Sequence, residues 1–222
     1  MKIQFLLLGL LLSSCELVYS AETTPAISLT ELAEKSDLVA VAQVRDTDYV
    51  YTRSFPSEGS AFLSILIAYK PGKTSGDIIQ INEKGLHPNE CYFENPTVFE
   101  EGRRYLVFLR RDPEDLENYR GLADGCALEI LVTAENRYAL KFPISGIDLK
   151  DKLDKLVLKQ DFRDNYALLT EESISPVVRD DLLTRGLLVP YQGKFKYTHG
   201  IDLTEARKLI SGASLKTNKY RQ

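Results

Sequence analysis

Leu38-Val39-Ala40-Val41-Ala42-Gln43-Val44 is an apolar run with a single interruption, closed by charge at Arg45 and Asp46. Its shortness and its valines suit a strand, and its continuous apolarity predicts burial on much of both faces. Just upstream, Ser28-Leu29-Thr30-Glu31 has capping-box spacing. Leu29, Leu32 and Ala33 then give one apolar stripe to a helix of about two turns. Downstream, the polar Gly/Ser-containing stretch from Thr47 to Ser60 reads as a loop, followed by a strand from Ala61 to Tyr69 and a turn at Pro71-Gly72. Asp77 to Asn82 and Tyr105 to Leu109 read as further strands, the latter flanked by Arg103-Arg104 and Arg110-Arg111. Leu128 to Thr133 and Arg137 to Phe142 face each other across Ala134-Glu135-Asn136 as a hairpin. Six closely spaced strands after one short helix predict a mainly β protein built on a small closed, or nearly closed, barrel.

The texture changes near residue 145, where Pro143 and Gly146 punctuate and charge density rises from Asp148 to Asp164. Leu153, Leu156 and Val157 suit one helix and Val177 to Leu183 another. Leu187 to Tyr197 reads as a hairpin turning at Gln192-Gly193, and Asp202-Leu203-Thr204-Glu205 opens a terminal helix through Leu209-Ile210. The division expected is therefore a leader over 1–20, a barrel domain over 21–145, and an α+β extension over 146–222 that carries helices and a β-hairpin.

The leader reading rests on Lys2, the apolar core Phe5 to Leu12, and the small-residue pattern Val18-Tyr19-Ser20 before Ala21. The apolar run is well short of the roughly 20 residues that a spanning helix needs. An export signal, and hence a periplasmic or secreted protein, is expected. Leu12-Ser13-Ser14-Cys15 also has the shape of a lipobox, so lipidation at Cys15 and anchoring to the membrane stand as the alternative. The remaining cysteines, Cys91 and Cys126, are most simply a disulfide in an oxidising compartment. It would be worth about 3–4 kcal/mol in the chain-entropy model; two buried thiols are the other reading. His87 lies four residues before Cys91, but no third and fourth soft ligand stand nearby, so no metal and no other cofactor is expected.

Composition narrows the partners. The 222 residues carry 28 basic and 32 acidic side chains, a net charge of −4. A mildly acidic, mixed-sign surface argues against nucleic acid. Beyond Met1 there is no methionine, and there is no tryptophan, which excludes a Met-rich groove and a Trp sugar platform.

A family resemblance lies in the ordered series Ser36-Asp37-Leu38-Val39-Ala40-Val41-Ala42-Gln43-Val44, Ile67-Ala68-Tyr69-Lys70-Pro71-Gly72, Gly76-Asp77-Ile78-Ile79, and Gly102-Arg103-Arg104-Tyr105-Leu106-Val107-Phe108-Leu109. The series resembles bacterial secreted relatives of the netrin-like and TIMP-like modules, over roughly residues 28–142. The resemblance implies an OB-like five-stranded barrel and a role in protein docking or matrix binding. Animal members inhibit metalloproteinases through the free amine of an N-terminal cysteine. Here cleavage leaves Ala21 and lipidation would block Cys15, so zinc-chelating inhibition is not expected.

Catalytic signals are weak. There is no Gly-x-Ser-x-Gly elbow, His87 and His199 have no persuasive Ser or Cys partner, and both read as solvent-exposed histidines. Asp112, Glu114, Asp115 and Glu117 lack the pattern of an EF-hand and read as a solvated turn. Arg104 and Arg110 fall on one strand face with Leu106 and Phe108 between them, as an anion contact or as charges guarding a strand. Tyr49, Tyr51 and Phe55, in the Thr47–Ser60 stretch, are amphipathic anchors of the kind interfaces favour. The expectation is an exported, non-catalytic binding module whose partner is another protein or an envelope component. An envelope-anchored lipoprotein with a structural or assembly role is the alternative, ahead of a secreted hydrolase.

Overall fold

The computed structural model describes residues 26–52, 55–72, 77–84, 99–122 and 125–217. The leader, Cys15, His87 and Cys91 lie outside the described residues.

The capping box forms as its spacing predicts, opening helix α1 (Leu29–Lys35). The Ser28 hydroxyl accepts the Glu31 amide at 3.2 Å, and the Glu31 carboxylate accepts the Ser28 amide at 2.9 Å. Lys150 and these Ser28 bonds hold the Glu31 carboxyl down at about 2. At the other end, Lys70 donates to the carbonyls of Ala33 and Ser36, which the helix leaves unpaired.

The barrel is made by β1 (Leu38–Thr52), β2 (Phe55–Lys70), β3 (Ile78–Lys84), β4 (Arg104–Arg111) and β5 (Tyr119–Gly121). They follow the order β1-β2-β3-β5-β4, and β4 returns to β1 from Leu38↔Leu109 to Gln43↔Arg104, which closes the cylinder. All neighbours are antiparallel except β3 and β5, joined in parallel at Ile81↔Tyr119. This is the OB-like barrel.

Period-two alternation sorts the side chains. Leu38, Ala40 and Ala42 of β1 and Tyr105, Val107 and Leu109 of β4 fill the barrel with Leu63, Ile81 and Tyr119. Val39, Val41, Leu106 and Phe108 point the other way, under α1. Both faces of β1 and of β4 are buried, which is why their sequences lack polar alternation.

Two expectations need correction. The last two of the six expected strands, β6 (Ala127–Val132) and β7 (Tyr138–Lys141), leave the barrel instead of closing it. Closure falls to β5, whose three residues are too few and too polar to show a pattern. After Leu122–Cys126, β6 takes the edge of β4 next to β5, from Val107↔Ala127 to Arg104↔Ile130, and carries the sheet outward. Leu153–Leu156 is a single 3-10 turn, not an α-helix, because the β-branched Val157 that follows enters β8 (Val157–Lys159).

Beyond residue 145 the chain also forms β9 (Leu168–Leu169), α2 (Pro176–Thr184), β10 (Leu188–Tyr191), β11 (Lys194–Tyr197), β12 (His199–Asp202) and α3 (Leu203–Thr217). The β10–β11 hairpin turns at Gln192 (φ 49°) and Gly193 (φ 74°), the pair of positive angles of a type I′ turn. Asp202 Oδ1 accepts the Thr204 amide at 2.8 Å and caps α3. β12 pairs with β7 and β8, so the barrel sheet runs on to nine strands. α3 lies on α1, with Thr30 Oγ1 donating to the Leu209 carbonyl at 2.9 Å, and both cover the outer layer of Leu106, Phe108, Leu128 and Leu140. A separate cluster around Phe162, Leu182, Leu188 and Tyr197 holds the small β9–β10–β11 sheet.

Candidate functional site

The stretch read as a loop over Thr47–Ser60 is an arm of paired strand. β1 last meets β4 at Gln43↔Arg104, yet its pairing with β2 continues to Thr52↔Phe55. Polarity misled here, because a paired strand satisfies its backbone through the ladder whatever its side chains are, and β3 pairs along the far side of β2 as far as Glu58↔Lys84. Val50 and Tyr51 are 52% and 56% exposed. Tyr49 is half-buried instead, packed on the barrel core with its ring over the partner strand's Gly59. Phe55 opens β2, and its side chain lies outside the described residues. Of the three aromatic candidates, Tyr51 is thus the one placed as an exposed anchor.

Gly59 has φ 147°, and a Cβ there would meet the Asp48 carbonyl at 2.2 Å and the Tyr49 ring at 2.7 Å. Gly59→Ala is expected to lower stability by about 2 kcal/mol, with faster amide exchange across Asp48–Tyr51. A urea midpoint within error of the parent would refute this packing.

Arg104 and Arg110 share the outer face of β4 with Leu106 and Phe108, but six residues of extended strand separate them by about 20 Å. They do not form one site. Arg104 is held by Asp164, whose side chain is 6% exposed, at 3.4 Å. Arg110 instead stands directly across from Arg120 of β5. Nothing in the sequence pointed to Arg120, because β5 itself had no readable pattern.

At the far end of β4, Glu129 accepts Arg103 Nη1 at 2.8 Å and the Lys141 ammonium. Arg103 also meets Glu100 at 2.6 Å, and its guanidinium lies 5.0 Å from the Tyr166 ring centre. Burial, reinforced by the Glu129 charge, raises the Tyr105 phenol and pushes Tyr197 up to about 12.

The acidic turn lies between β4 and β5 as expected, with Asn118 donating to the Asp115 carbonyl at 3.0 Å. Asp112 departs from the solvated reading: it is 2% exposed and accepts Asn82 Nδ2 at 3.2 Å and the Glu114 amide at 3.0 Å. His199, expected in solvent, is half-buried at the start of β12, its Nδ1 2.8 Å from Thr198 Oγ1. Burial, then the Lys159 charge, lowers its pKa. Cys126 is buried beside the barrel core, at 2% exposure.

A cavity of about 330 Å³ opens at the start of α3, between Ile67 and Tyr69 of β2 and Arg137 and Tyr138 at the start of β7. Asp202 in its wall is spent on capping α3 and on Arg137 at 3.2 Å, and the Arg207 guanidinium lies 5.8 Å from the Tyr69 ring centre. Among known proteins, no family model, no curated protein and no solved structure matches the chain.

Proposed function

We propose that the protein is an exported, non-catalytic binding module, related to the netrin-like and TIMP-like barrels, that engages a protein or an envelope component through its β1–β2 arm. One observation carries this reading: β1 runs past its last pairing with β4 and ends in Val50 and Tyr51, both more than half exposed. The relationship is supported by the strand order β1-β2-β3-β5-β4 with β4 returning to β1. A Cys91–Cys126 disulfide belongs to the same proposal. Residues 146–222 act in it as support, since β12 and α3 complete the sheet and its cover.

The test places a photo-crosslinking amino acid at position 51 in the producing cell, with Val177, 82% exposed on α2, as the control. One discrete adduct at 51 and none at 177 is expected. No adduct at 51, or the same smear at both, rejects the arm as the contact. Intact mass of the recovered protein reports the rest. A chain beginning at Ala21, alkylated twice only after reduction, supports export and the disulfide. A diacylglycerol adduct on Cys15 replaces the diffusing module with the anchored lipoprotein.

A further inference from the structure

Arg110 and Arg120 oppose each other across the antiparallel β4–β5 pair, so both side chains leave the same face of the sheet with Cβ atoms about 5 Å apart. Like charges in that position destabilise a sheet. Both side chains are half-buried, and the Nε of each is enclosed with no protein acceptor. Neither guanidinium takes part in an ion pair among the described residues. That sets them apart from Arg103 and Arg137, each of which meets a carboxylate, and from Arg104, whose Nε is likewise enclosed but whose Nη1 meets Asp164. The carboxylate of the same face, Asp112, is turned to Asn82 and to the Glu114 amide. Arg111 points to the opposite face, its guanidinium 4.7 Å from the Tyr119 ring centre. A buried polar group left without a partner calls for a reason, and two such cations side by side call for a shared one.

We propose that Arg110 and Arg120 together bind a phosphate group, as the free ion or as a monoester. Two planar forks on side chains rooted about 5 Å apart at Cβ present two positive charges and paired N–H donors. A tetrahedral dianion answers both, because different oxygens can face each fork, whereas a lone carboxylate fills one fork and leaves the other. Gln80 and Asn82 of β3 lie on the same face of the neighbouring strand, but their amide groups donate to Ser60, Asn82 and Asp112, so the two arginines carry the site. The site does not rest on the arm, and either can fail without the other.

The full chain is titrated at constant ionic strength in chloride, once with inorganic phosphate and once with glycerol 3-phosphate, following the arginine Nε–Hε resonances. Saturable shifts of the Arg110 and Arg120 signals are expected, weakened at least tenfold in Arg120→Gln and in Arg120→Lys. The tighter of the two ligands identifies the free ion or the ester as the source. Without phosphate, Arg120→Gln is expected to melt no lower than the parent, since it relieves a like-charge pair, and phosphate is expected to raise the melting temperature of the parent alone. Shifts that do not saturate, or that saturate equally in both variants, overturn the proposal. A lower melting temperature for Arg120→Gln in chloride overturns it too, because the guanidinium would then be a structural group.

Discussion

Phe108→Ala is expected to lower the free energy of unfolding by about 3–5 kcal/mol, a large share of what a domain of this size has. Phe108 is fully buried, between the outer face of β4 and the cover made by α1. Truncation removes a ring from a layer that cannot collapse, because Leu106 beside it and Leu109 behind it are held by pairing on both edges of β4. Urea denaturation with an unchanged slope would read the loss as a shift in midpoint. A loss under 1 kcal/mol would mean that α1 does not seal this layer.

Glu129→Gln is expected to cost about 3 kcal/mol, although it keeps the shape of the side chain. Glu129, Arg103 and Lys141 have side chains 18%, 23% and 12% exposed, so solvent screens the trio poorly. Without the carboxylate, Arg103 retains Glu100 and the Tyr166 ring. Lys141 retains the ring of Tyr197, 5.3 Å away, and no second carboxylate among its ion pairs. Most of the loss therefore falls on Lys141, and Glu129→Gln combined with Lys141→Met is expected to regain most of it. A double variant as unstable as the single one would place the effect elsewhere, and Lys141→Met alone completes the cycle that isolates the pair.

How far these features were legible follows from the range of the signals involved. The capping box at Ser28, the both-face burial of Leu38–Val44 and the turn at Gln192-Gly193 are local patterns, and each appears where the residues put it. β5 was not legible, since Tyr119-Arg120-Gly121 carries no alternation and exists as a strand through its partners on β3 and β4. The arm reads as a loop in the sequence because its side chains are polar, and a ladder leaves no mark in side-chain chemistry. The same limit hid the arginine pair. Parity along one strand joined Arg104 to Arg110, whereas the pairing of two strands joins Arg110 to Arg120. Glu129 of β6, Lys141 of β7 and Arg103 just before β4 come from three separate stretches, and no single stretch of chain displays them together.

The contact between α1 and α3 sets the order in which the protein can be completed. Leu29 and Leu32 near the start share one layer with Leu203, Ala206 and Ile210 near the end, and Thr30 bonds to the carbonyl of Leu209. Strands β1 to β4 can find one another early, but the outer stripe of β1 and β4 keeps an incomplete cover until residue 203 and beyond have emerged. Closing so long a loop is slow, and the uncovered stripe is the surface through which unfinished chains would associate. Truncation before α3 should therefore yield chains that pair their strands and then aggregate, and delivery of the last helix is the event that ends that exposure.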